Sequence, residues 1–155
     1  MLSNYGKHFY SSYLKGQIKG LPQIDAKIAI SNDYYTKNKQ SKWITNLQSR
    51  RVGHYLRSKY NCIISTSKSI NDDNSSLDCR IDGLEKKSPA VFIIDRYLSI
   101  NTNINLLNSG KKNIFLVTTV SKKKKLVFLK SKGIKIVKIK ELNSKRSFLK
   151  LFKII

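Results

Sequence analysis

AVFIIDRYLSINTNINLLNSGKKNIFLVTTVSKKKKLVFLKSKGIKIVKIK, residues 90–140, decides the fold class. It opens with AVFIID, a nearly continuous apolar run introduced by Pro89, and repeats the pattern in NIFLVTT, which ends at Thr119. Runs of this kind suit strands buried on both faces, because both rows of side chains must then be apolar. Between the second run and an alternation of Ile134, Ile136 and Val137 or Ile139 with lysines lies KKKKLVFLKSK. That segment reads as a helix, with Ser121 as its cap and Gly133 as its stop. Lys122 to Lys125 stand at its positive end, where the helix dipole disfavours them. Strand, helix and strand in alternation imply an α/β fold: a mostly parallel central sheet flanked by helices, with a ligand crevice at the strand carboxyl ends.

Upstream, CIIS (from Cys62) is a further short strand, followed by TSKSINDDNSS, which reads as a polar loop. Before it, Asn46 is placed to cap a helix on which Val52, Tyr55, Leu56 and Lys59 share one side, with Arg50 and Arg57 two turns apart. QIDAKIAIS carries Ile24, Ala26, Ile28 and Ile30 at period two, the signature of a strand, with Lys27 on the other row. Residues 1–20 lack sustained periodicity and read as a linker or arm, which leaves 21–155 as the domain. At the far end, Ser147 is placed to start a helix through FLKLFKII.

Charge bounds the partners. Lys plus Arg number 31 against 9 Asp plus Glu, a net charge of +22 that attracts polyanions, nucleic acid first among them. The lysines are scattered as well as clustered, and Lys, Asn, Ile, Ser and Tyr dominate together, so compositional bias competes with selection for nucleic-acid binding. Cys62 and Cys79 lack a C-x-x-C spacing, and with only His8 and His54 beside them they form no recognisable metal set. They suit a reducing, cytoplasmic compartment. No apolar run has the length of a membrane span. Neither histidine has a paired nucleophile.

The order of landmarks is more specific than any one of them. Lys27 is followed by Ser31 and Asp33, then by Ser41-x-Trp43-Ile44-Thr45, Leu56-Arg57, the pair Asp72-Asp73, and Leu77-x-x-Arg80. This series resembles the reductase domain of the bifunctional riboflavin-biosynthesis deaminase/reductase, across residues 20–95 and more loosely beyond. The resemblance implies a dihydrofolate-reductase-like fold and NADPH-dependent reduction of a phosphoribosylaminopyrimidine. It implies cofactor contacts at Ala29, Trp43, Ser69 and Asp73, and substrate contacts at Ser41, Arg57, Leu77 and Arg80. The chemistry is compatible: guanidiniums suit phosphate, a serine hydroxyl donates or accepts, and an indole offers a broad apolar wall.

The departures are equally specific. Tyr34 stands where the family keeps glycine, Ser69 where it has threonine, Asn74 and Ser75 replace a proline, and Arg96 replaces a small hydroxyl residue. The resemblance further implies that the chain lacks the family's C-terminal strands, its glutamate and glycine-rich loop, and the preceding deaminase domain. A homodimer, or a separate deaminase or C-terminal polypeptide, is the partner expected on that reading.

Overall fold

The computed structural model describes residues 10–36, 43–110, 113–121 and 124–154. Two compact units divide the chain: residues up to Ala29 with those from Glu141 onward, and Ile30–Lys140.

The larger unit holds a four-stranded, wholly parallel sheet. Helix α2 (Leu47–Lys59) leads into β1 (Cys62–Thr66), α3 (Ser67–Asp73) and a 3-10 turn (Glu85–Lys87). Then come β2 (Ala90–Ile94), the short α4 (Asn105–Asn108), β3 (Ile114–Thr118), α5 (Lys124–Ser131) and β4 (Lys135–Lys138). The strands lie in chain order, β1-β2-β3-β4, so their sequence never reverses across the sheet.

The register explains the apolar runs. Val91 and Ile93 of β2 sit beside Ile114 and Leu116 of β3, and these four join Ile70, Leu98, Ile100, Ile104, Leu106, Leu126 and Leu129 in one buried cluster. The alternate residues form the other face, where the rings of Phe92 and Phe115 stack with centroids 4.4 Å apart, and Val117 is fully buried. The two central strands are thus apolar on both faces, as their sequences require. At the end of α5, Gly133 adopts φ 80° and its N–H bonds the Lys130 carbonyl, so the glycine stop is realised. Lys125 sends its ammonium to the Leu98 carbonyl (3.0 Å), which gives it a partner away from the dipole. The expected first residues of that helix, Lys122 and Lys123, lie outside the described residues.

Four sequence expectations need correction. Residues 24–30 form no strand: Ile24, Ile28 and Ile30 remain 46%, 71% and 51% exposed. Period two specifies which row would be buried, but a strand exists only where a neighbouring ladder receives its backbone. The expected loop after β1 is α3, because the Thr66 side chain accepts the Ser69 N–H (3.2 Å) and starts a helix there. The last helix, α6 (Lys145–Phe152), begins three residues early, since Ser144 rather than Ser147 caps it and the two form a reciprocal capping box. Within the N-terminal arm, residues Ser11–Lys19 form α1, which stops at Gly20 with φ 56°. In the smaller unit Leu142, Ser147 and Leu151 are buried.

Candidate functional site

The carboxyl ends of β1 and β2 are joined by Asp95, which is 2% exposed. Its Oδ1 accepts from Ser67 Oγ (3.0 Å), Ser99 N (2.8 Å) and Ser99 Oγ (2.9 Å), and its Oδ2 accepts from Ile100 N (2.8 Å). A buried carboxylate is tolerated only when satisfied in this way. The same side of α3 is tied twice more to residues 99–105. Asn71 donates to the Ser99 carbonyl (3.1 Å) and accepts the Asn101 N–H (2.8 Å), while Asn74 Oδ1 accepts the Asn105 N–H (2.9 Å). Ser67, Asn71 and Asn74 follow one another at helical spacing, so one face of α3 is a row of tethers. Ser69 and Asp73, four residues apart, share a different and exposed face.

Beyond Asn74 the chain turns through Leu77, which adopts φ 52° and packs on the buried cluster. A branched side chain in the left-handed region is disfavoured, so packing holds this conformation in place. The turn then meets α2. Arg57 Nη1 donates to the Asp78 carbonyl (2.9 Å), and His54 Nδ1 lies 3.0 Å from the same oxygen and 3.2 Å from the Arg80 N–H. Arg80 is held by its own bonds, Nε to Asp78 Oδ1 (3.1 Å) and Nη2 to Ser76 Oγ (3.0 Å). Cys79, between them, is buried and its N–H bonds Ser88 Oγ (3.0 Å). Since α2 ends at Lys59 and Ser88 lies two residues before β2, the cluster sits beside the amino ends of β1 and β2. This is the opposite end of the sheet from Ser69.

Burial draws the Arg57 pKa down, Asp78 pushes it back up, and Arg80 adds to the lowering. Arginine stays charged regardless, so the cluster holds two cations against the single carboxylate of Asp78 and has room electrostatically for another anion. Burial, then Arg57, lowers the pKa of His54. Cys62 is pushed up by burial, which makes it a poor nucleophile.

The sequence-derived candidates therefore fall into separate groups. Arg57, Leu77 and Arg80 come together around Asp78. Ser69 and Asp73 share the exposed face of α3. Trp43, 56% exposed, stacks against Arg50 with 4.7 Å from guanidinium to ring centre, at the opposite end of α2 from Arg57. Ala29 belongs to the smaller unit and is half-buried. Ser41 lies outside the described residues. Sequence reasoning passed over His54, whose signal was its place one turn before Arg57 on α2, and Asp95, whose signal was a carboxylate ending an apolar strand. Tyr34, where the resemblance implies a glycine, has φ 65°. Its turn is closed by Ser31, whose carbonyl accepts the Tyr34 N–H (2.9 Å), whose hydroxyl accepts the Tyr35 N–H (3.0 Å), and which also bonds Asp33.

The parallel α/β sheet and its likeness to solved structures place the chain among domains of dihydrofolate-reductase-like fold. It superposes on RibD of Acinetobacter baumannii with a TM-score of 0.73 at 19% identity, covering 96% of this chain and 40% of that one. The yeast riboflavin biosynthesis reductase Rib7 superposes at 0.57 and 18% identity, over 96% of this chain and 65% of the other. The family model described as RibD C-terminal domain matches residues 22–151, and the chain belongs to that family. In sequence it is 28% identical over 134 residues to the riboflavin biosynthesis protein RibD of Aquifex aeolicus, covering 86% of this chain. It spans only 35% of that relative's length. It is also 31% identical over 99 residues to the 5-amino-6-(5-phosphoribosylamino)uracil reductase of Buchnera aphidicola, covering 57% of this chain and 47% of that protein.

Proposed function

We propose that this chain is a reductase domain of riboflavin biosynthesis that takes 5-amino-6-(5-phosphoribosylamino)uracil to its ribitylamino product with NADPH. The observation that carries the reading is the convergence of Arg57 and Arg80 on the Asp78 turn, 23 residues apart in sequence yet fixed by the same backbone segment. Two guanidiniums with one carboxylate between them retain net positive charge, and their planar donors match the oxygens of a sugar phosphate. Leu77 sets the turn between them, and Ser41 would supply a hydroxyl to the substrate.

On the cofactor side, the donor set of α3 fits a ribose: the Ser69 hydroxyl donates or accepts, and Asp73 accepts from sugar hydroxyls. Trp43 presents a flat apolar surface. Bound NADPH would supply the hydride. The protein's own part is binding and orientation: the arginine pair holds the phosphate, and the tethers of α3 fix Ser69 and Asp73. The larger relatives, one of them named a deaminase/reductase, favour a deaminase as partner, and a second copy of the chain and a cytoplasmic location belong to the same proposal.

The test is titration of the full chain with NADPH at two salt concentrations, with and without the pyrimidine substrate. Saturable, NADPH-selective binding that tolerates salt, with oxidation of NADPH on adding substrate, is expected. Binding that collapses with salt and does not distinguish NADPH from other polyanions would instead assign the +22 charge to a nucleic-acid surface.

A further inference from the structure

The imidazole of His54 sits between the Arg57 guanidinium and the backbone amide of Arg80, and the donors around it determine its state. The Arg80 amide, 3.2 Å from Nδ1, donates only, and so does the Arg57 guanidinium, 3.4 Å away. The Asp78 carbonyl, 3.0 Å from Nδ1, is the one neighbour that favours a proton there, and it already accepts from Arg57. An unprotonated Nδ1 therefore gives the Arg80 amide an acceptor, while the Asp78 carbonyl keeps the Arg57 donor. A proton on Nδ1, in the other neutral tautomer or in the imidazolium, deprives the Arg80 amide of its acceptor, and the imidazolium also sets a third cation beside two others.

We propose that His54 is a positioning residue for anion binding: its Nδ1 accepts the Arg80 N–H and locks the Asp78–Arg80 turn onto α2, so that both guanidiniums face one phosphate. The proposal rests on the reading of Arg57 and Arg80 as the sugar-phosphate pair and adds the group that holds them in register. The charged groups facing His54 are Arg57 on its own helix and Arg80 and Asp78 on the turn; Glu85, Lys86 and Lys87, on the 3-10 turn packed against α2, are exposed.

The sign of the pH dependence follows. The pKa of His54 is lowered below 6.5 in the folded chain, first by burial and then by Arg57. The folded state thus binds fewer protons than the unfolded one, and the contribution of His54 is present above that ordinary value and lost as pH falls through the lowered one.

The experiment titrates ribose 5-phosphate into the full-length wild type, His54→Asn and His54→Leu, from about pH 8 to about pH 5, with urea midpoints recorded for each. Asparagine places an acceptor oxygen close to where Nδ1 stands, and leucine places none. His54→Leu should weaken phosphate binding about tenfold and His54→Asn less than about threefold, one hydrogen bond being at stake. The wild type should lose affinity toward acid more steeply than His54→Asn, whose profile carries the titration of the phosphate itself. Equal affinity in His54→Leu and wild type would overturn the proposal alone, as would parallel pH profiles for wild type and His54→Asn, a comparison that stands even if the leucine variant fails to fold. A wild type that binds no ribose 5-phosphate would overturn the arginine-pair reading, and the proposal with it.

Discussion

Residues 67–80 and residues 24–36 were both expected to line one site, and they are held in opposite ways. The first segment is fixed by partners far away in the chain: Ser67 to Asp95, Asn71 to Ser99 and Asn101, Asn74 to Asn105, and Asp78 to His54 and Arg57. In the second, the turn at Ser31 is closed by local bonds to Asp33 and Tyr35, and the isoleucines stay exposed. Long-range tethers couple a site to the fold's stability, whereas a locally closed turn can change without the core responding.

Four substitutions would break or sharpen that contrast. The largest effect belongs to Asp95→Ala, which strands four donors in a buried site and should cost about 3–4 kcal/mol in urea unfolding. A loss below about 1 kcal/mol would mean that the tethers of α3 do not depend on it. Arg57→Gln comes next: it keeps a donor but removes the charge, and should weaken ribose 5-phosphate binding by about 10- to 30-fold, or about 1.4–2 kcal/mol, with a smaller change in NADPH affinity. Equal losses for both ligands would merge the two proposed sub-sites.

Tyr34→Gly runs the other way. It removes a left-handed tyrosine at the cost of unfolded-chain entropy, so the urea midpoint should rise by an amount equivalent to about 0.5–1 kcal/mol. A decrease would show that the tyrosine ring packs usefully. Smallest is Ile28→Thr, expected within about 0.5 kcal/mol of wild type because the side chain is 71% exposed. A loss of about 2 kcal/mol would indicate that this row is buried in a ladder after all.

The sheet was legible because burial on both faces leaves a signature that needs no knowledge of partners: Ala90–Ile94 is apolar throughout, and Ile114–Thr118 is apolar up to its final threonine. Helix α2 was legible from Asn46, whose side chain accepts the Ser49 N–H as a cap should (2.8 Å). The strand expected over 24–30 failed because alternation describes a side-chain pattern, while pairing depends on another strand's backbone. Helix α3 was missed because Ser, Asn and Asp favour turns on local grounds. Here the Asp95 carboxylate and the 99–105 backbone take up those polar groups, a contact some 30 residues away that local propensity cannot see. Within the candidate site, motif order pointed to Arg57, Leu77 and Arg80, which the fold brings together around Asp78, and also to Trp43, Ser69 and Asp73, which it places elsewhere. It passed over His54, whose meaning depends on the backbone of a turn 24 residues away.

The central claim is that Arg57 and Arg80 act as one anion-binding unit, and a double-mutant cycle on ribose 5-phosphate affinity tests it most directly. With Arg57→Gln, Arg80→Gln and the double variant, the second substitution should cost much less than it does alone, a coupling of about 1 kcal/mol or more. Losses that add within about 0.3–0.5 kcal/mol, or no loss from either change, would contradict the account.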